Sequence, residues 1–192
     1  MDKRKPPLKK SESPDASETG RAIQFCEQRA ILKAITDKKY RDFFYFCCCT
    51  GMRVSEALSV KVKNIDFRKR VIRIDLKDSK TKKHRRDVPF VKELFDGMDI
   101  KGKLLFPSVT YEGSGKYFCQ LYKRLNLDLN RHSTRHTFVS VLNHIGVPPD
   151  TVMLWAGHTD LKMTTDTYTH VLKNGSSPVL SYLKKLKSSL RL

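Results

Sequence analysis

A predominantly α-helical α+β fold with one small antiparallel sheet is predicted by three features of the 192-residue chain. Apolar residues recur at helical intervals over most of its length. One stretch alternates with the period of two proper to strands, and glycines and prolines punctuate the boundaries. Hydrophobic content of 39% supplies a core for one domain of ordinary size.

Residues 1–20 hold Lys, Pro, Ser, Asp and Glu with almost nothing apolar, so a disordered tail is expected there. Residues 21–192 form the domain. Ile23, Cys26, Ala30, Ile31, Ala34 and Ile35 set a helical period starting near Ala22. Residues 40–50 make a short, densely apolar helix, with Gly51 suited to its C-cap. Ser55 is placed to cap the next helix, with Glu56, Ala57 and Leu58 in its first turn. Residues 71–76 and 84–90 alternate as two strands of a hairpin with a basic tip over 77–83.

Helices are expected over 91–98 and 111–127, the second with Tyr117, Leu121 and Leu125 as a core stripe. Ser133 or Thr134 opens a helix running to 145 and ended by Gly146. Pro148 and Pro149 open a short helix to Trp155, with Val152, Leu154 and Trp155 available for packing. Residues 161–171 form another short helix, bearing Tyr168. Residues 173–192 comprise a breaker-rich hinge and an amphipathic helix over 179–190, with Val179, Leu183, Leu186 and Leu190 on one face.

The net charge of +18 points to a polyanionic partner. Residues 61–86 carry twelve Lys/Arg against three Asp, which reads as a phosphate-tracking surface on the hairpin. No apolar run approaches the ~18–20 residues of a membrane span, and no signal peptide opens the chain. The five cysteines, three of them consecutive at Cys47, Cys48 and Cys49, lack metal-ligand spacing. They read as buried small residues in a reducing cytoplasm. No metal or other cofactor is expected.

Between residues 131 and 170 stand His132-Ser133-Thr134-Arg135, then Ala156-Gly157-His158, then Thr167-Tyr168-Thr169-His170. Upstream lies Thr50-Gly51-Met52-Arg53-Val54-Ser55-Glu56-Ala57-Leu58. In this order the motifs resemble the catalytic domain of a tyrosine recombinase, the phage-type integrase family. Ser79-Lys80-Thr81-Lys82 ahead of Arg86-Asp87-Val88-Pro89 resembles that family's hairpin, whose tip carries a catalytic lysine. Lys80 matches it, with Lys82 or Lys83 the competitor if the turn register differs.

The resemblance implies a catalytic set of Arg53, Lys80, His132, Arg135, His158 and Tyr168. Glu56 would orient the arginines and histidines without touching DNA. Lys77, Lys82, Lys83 and Arg85 would bind DNA around the hairpin tip. Tyr168 is chosen among seven tyrosines because it closes a His-x9-Tyr spacing from His158. The implied activity is site-specific, metal-independent cleavage and rejoining of double-stranded DNA through a 3′-phosphotyrosine. A homo-oligomer, a tetramer on paired sites, and a cytoplasmic, nucleoid-associated location go with it. Type IB topoisomerase activity and a non-cutting DNA-binding module are the alternatives. The family's N-terminal helical domain, which clamps the other face of DNA, has no counterpart here. The chain is then either a fragment or a small recombinase without that domain.

Overall fold

The computed structural model describes residues 20–74, 86–144 and 146–157. Outside them lie residues 1–19 of the expected tail and the hairpin tip with Lys77, Lys80, Lys82, Lys83 and Arg85. His158, Tyr168, the hinge and the two last helices also lie outside.

The first helix, α1, spans Phe25–Ala34. It begins later than Ala22 because Gln24 is extended and its N–H donates to the Glu27 carboxylate at 2.8 Å. Gln28, Ile31 and Leu32 are buried, whereas Cys26 and Ala30 face solvent. The segment before α1 is tied down by Ile23, whose N–H donates to Thr137 Oγ1 at 2.8 Å. Helix α2, Lys38–Thr50, is capped by Asp37, which accepts from the Lys39 N–H, and is closed by Gly51 at φ +62°. Its buried side chains, Phe43, Phe44, Phe46 and Cys47 through Cys49, form the centre of the core. Burial pushes the thiols of Cys47, Cys48 and Cys49 up. Cys26 and Cys119 are exposed, so the expectation that all five cysteines are buried fails for these two.

Helix α3, Val54–Ser59, is capped by Arg53 and not by Ser55. The Glu56 carboxylate accepts the Arg53 N–H at 2.9 Å, which starts the helix two residues earlier. Three antiparallel strands follow in the order β1 (Ile65–Asp66), β2 (Val71–Ile74), β3 (Arg86–Pro89). Ile72 pairs with Val88 and Ile74 with Arg86, while Arg73 and Asp87 pair on the outer face. Since successive side chains alternate between faces, Arg86 shares the inward face with Val88. It is 6% exposed, which removes it from the phosphate-tracking surface expected over 61–86. The β1–β2 turn, with exposed Arg68, Lys69 and Arg70, lies at the opposite end of the sheet from the segment that joins β2 to β3.

Residues 91–98 make only a single 3-10 turn, Lys92–Phe95, where a helix was expected. The Asp96 and Met98 N–H groups return to carbonyls three residues back, and Gly97 at φ +78° turns the chain away. Helices α4 (Tyr111–Arg124), α5 (Ser133–His144) and α6 (Pro149–Ala156) complete the described fold. Within α6 Val152 and Trp155 are buried, but Leu154 is 39% exposed and does not join the core. Packing runs from α2 to α5, from α5 to α6, and from α6 to β3. The C-terminus of α6 is thereby brought between the α2–α3 turn and the sheet. Among the described residues, no helix is long and apolar enough to cross a membrane.

Two glycines test how tightly this junction is packed. A Cβ on Gly51 would lie 2.3 Å from the Phe138 ring, whereas one on Gly97 would meet nothing within 4 Å. Both have positive φ. Gly97→Ala should cost the left-handed penalty alone, ~1–2 kcal/mol. Gly51→Ala should add ~1–3 kcal/mol of overpacking to that. Urea midpoints of the two variants check this, and equal shifts would mean that Phe138 moves aside without cost.

Candidate active site

A helix ends with carbonyls that have no partner within the helix and that carry the negative end of its dipole. At the end of α6 three arginines supply the donors, on three consecutive residues. Arg86 Nε donates to the Trp155 carbonyl at 3.0 Å. Arg135 Nη1 donates to the Ala156 carbonyl, and also to the Gly51 carbonyl at 3.1 Å. Arg53 Nη1 donates to the Gly157 carbonyl at 3.2 Å. Each arginine comes from a different element: the α2–α3 turn, the start of β3 and the first turn of α5. They converge on the residues immediately ahead of His158.

Among the described residues, Glu56 supplies a carboxylate to this cluster, and its side chain is 4% exposed. Its oxygens accept from Arg86 Nη1 at 3.0 Å and Nη2 at 2.7 Å, a two-pronged pair in which both partners are buried. Arg53 Nη1 is farther away, 3.7 Å from Oε1. Burial alone would push the Glu56 carboxyl up. The Arg86 bonds and charge, with help from the Arg53 N–H and charge, outweigh burial and hold it below the usual carboxylate range. Glu56 thus contacts both Arg86 and Arg53 from a buried position.

Arg135 is itself 3% exposed, whereas the Arg53 side chain is 31% exposed and borders a cavity of about 580 Å³. Phe43, Phe44 and Tyr122 line that cavity, as do Arg131 and His132. His132 stands directly before α5. Its N–H is held by Asn130 Oδ1 at 2.8 Å, while the Asn130 N–H donates to Ser133 Oγ at 3.0 Å. Arg131 lies over the Tyr111 ring, 4.3 Å from its centroid. The lining of the cavity thus combines aromatic side chains with Arg53, Arg131 and His132.

Of the predicted site residues, Arg53, Glu56, His132 and Arg135 fall within the described residues, and Arg53, Glu56 and Arg135 meet at the end of α6. Lys80, His158 and Tyr168, with Lys77, Lys82, Lys83 and Arg85, lie outside them. Arg86 was missed as a member of the cluster, because in the sequence it reads as one more charge of a basic run. The signal was present in the strand period, since Val88 and Phe90 facing inward place Arg86 inward too.

Residues 15–174 match the phage integrase family. The transposase of transposon Tn916 from Enterococcus faecalis is 26% identical over 208 residues, an alignment covering 86% of this chain and 51% of the transposase. Tyrosine recombinase XerD of Haemophilus ducreyi is 31% identical over 160 residues, covering 72% of this chain and 51% of that protein. The chain spans about half the length of these curated relatives. Among solved structures, the Tn1549 transposon integrase in complex with a circular intermediate DNA superposes with a TM-score of 0.63 at 20% identity. That match covers 84% of this chain and 68% of the other. The integrase from mycobacterium phage Brujita gives 0.63 at 18% identity, covering 97% and 66%. At these identities the structures establish the fold, and the family match over most of the length establishes descent: the chain belongs to the phage integrase family.

Proposed function

We propose that the chain is a site-specific DNA recombinase that cleaves and rejoins double-stranded DNA through a 3′-phosphotyrosine intermediate. The observation that carries this reading is the convergence of Arg53 and Arg135 on adjacent carbonyls just ahead of His158. Carbonyl acceptors orient the two guanidinium groups, which stay protonated at any ordinary pH, and so bring two cations to one fixed place. A phosphodiester is the anion such a site suits.

In this mechanism Tyr168 Oη attacks phosphorus and the bond to the 5′ oxygen breaks. The tyrosine proton passes to His132 or His158, and Lys80 gives a proton to the departing 5′ oxygen. Arg53 and Arg135 stabilise the extra charge on the non-bridging oxygens. Removing one such donor typically costs ~2.7–4 kcal/mol of barrier. A phenol with pKa ~10 is ionised only about one part in a thousand at pH 7, and a cationic site reduces that deficit. The 5′ hydroxyl released in cleavage attacks the phosphotyrosine to rejoin the strand.

Duplexes nicked near a randomised segment, recovered with protein attached under denaturing conditions, test the reading and identify the site. Tyr168→Phe should abolish the covalent band and leave DNA affinity nearly unchanged. A band that persists assigns the chemistry to another tyrosine. No band from the unaltered chain would favour a DNA-binding module that does not cut.

Lys80→Ala should slow cleavage of the ordinary linkage but act normally when the leaving 5′ oxygen is replaced by sulfur, since a thiolate leaves without a proton. Equal defects on both linkages would make Lys80 a phosphate contact only. The same comparison at Lys82 and Lys83 resolves the hairpin register.

Assembly is the third part of the proposal: a homo-oligomer, tetrameric on paired sites, joined by the apolar stripe of Val179, Leu183, Leu186 and Leu190. Truncation after Asn174 should leave a chain that binds single sites but fails to form the complex with paired sites in native gels. Normal assembly with a lowered melting temperature would show that this stripe serves its own domain.

A further inference from the structure

Arg131 is exposed, stands one residue before His132, and lines the same cavity as that histidine. Its guanidinium lies over the Tyr111 ring, 4.3 Å from the centroid. Stacking of this kind engages the flat face of a guanidinium, whereas its five N–H donors lie in the plane and point out from its edge. Among the described residues no carboxylate is paired with Arg131. The side chain is thus held in place by a contact that leaves its donors unused.

Helix α4 makes room for this guanidinium. A Cβ on Gly115 would lie 2.8 Å from Arg131 Nη2 and 3.6 Å from its Cζ. Gly115 lies in the second turn of α4, where glycine lowers helix stability relative to alanine. Tyr111, the first residue of α4, is 43% exposed, so the stacked pair buries little apolar surface. Neither feature serves the stability of the fold. Both serve to hold a cation still at the surface beside His132.

We propose that Arg131 binds a phosphate of the DNA backbone next to the one that is cleaved, held for it by the Tyr111 ring and by the space at Gly115. A DNA strand carries one charge for every ~3.4 Å of its axis, so a duplex seated with one phosphate beside His132 brings the neighbouring phosphates close to Arg131. The in-plane donors of a guanidinium match two phosphate oxygens at once. Arg131 is a binding residue in this scheme and takes no part in the chemistry. The inference rests on the cleavage reading, which puts the scissile phosphate beside His132.

The test uses the full chain and duplexes recovered from the randomised pool by binding under native conditions. Arg131→Gln should lower affinity about ten- to a hundredfold, the scale of one lost hydrogen bond to a charged group. The slope of log affinity against log salt should become shallower by ~0.9, as one fewer phosphate is neutralised. At saturating protein the adduct should form at the unaltered rate, and the melting temperature should not change, because the side chain is exposed. Neutral methylphosphonates are then placed one at a time along the duplex. The Arg131→Gln defect should vanish at one position, adjacent to the phosphate that carries the adduct. Gly115→Ala should raise the melting temperature by ~2–4 °C yet lower affinity, and it should add no further loss to Arg131→Gln.

Unaltered affinity for Arg131→Gln, or a defect that no single methylphosphonate removes, would overturn the phosphate contact. A defect that appears with one base sequence only would overturn it too, and would make Arg131 a reader of bases. Unaltered affinity for Gly115→Ala would overturn the part given to that glycine. An unaltered chain that shows the methylphosphonate-specific loss but forms no adduct would remove the cleavage reading and leave the contact standing. One that binds no duplex would remove both.

Discussion

The carbonyls at the end of α6 are the constraint around which the described structure is arranged. A helix terminus buried between a turn and a sheet must find donors for its last carbonyls, or each orphaned group costs ~1–3 kcal/mol. Here the donors are guanidinium groups from three distant parts of the chain, on Trp155, Ala156 and Gly157 in succession. Folding of α6 and ordering of the arginines are consequently one event. Arg135 also reaches the Gly51 carbonyl, which joins the ends of α2 and α6 through a single side chain.

Both motif glycines are explained by the closeness of this junction. Gly51 and Gly157 each close a helix in the left-handed region, and each has a large group where its side chain would stand. At Gly51 the group is the Phe138 ring, which brings α5 onto the end of α2. At Gly157 it is Arg86, which brings β3 onto the end of α6. Backbone conformation and steric room thus demand glycine independently at the same two positions.

Much of this was legible in the sequence where the information is local. The helical period located α2, α4, α5 and α6, Gly51 caps α2 where the breaker stood, and Gly146 lies at positive φ after α5. Arg53, Glu56 and Arg135 were singled out by short motifs whose residues lie within one helical turn, and the fold brings them near the end of α6. What escaped depends on partners remote in sequence. Two-residue β1 has no periodicity of its own and exists because β2 offers an edge. Residues 91–98 look helical by composition, but Leu94 and Phe95 are buried through one 3-10 turn and the chain then leaves at Gly97. Cysteine is usually buried, which held for the three on α2, yet Cys26 and Cys119 lie on the solvent side of their helices. Counting charge over 61–86 told nothing of which member points inward.

Arg86 shows why that last distinction matters for the site. Ile74 and Arg86 are paired across β2 and β3, and the residues between them in sequence include Lys80. An arginine buried at that pair, with three of its nitrogens bonded, fixes the start of β3 to Glu56 and to the end of α6. The start of β3, six residues after Lys80 in sequence, and the arginines at the end of α6 therefore share one anchor. General-acid catalysis and charge stabilisation both decay steeply with misplacement, since each acts only within hydrogen-bonding distance of the reacting group. A common anchor sets the start of β3 and the arginine cluster in one frame, and Arg86, which provides it, belongs to the interior.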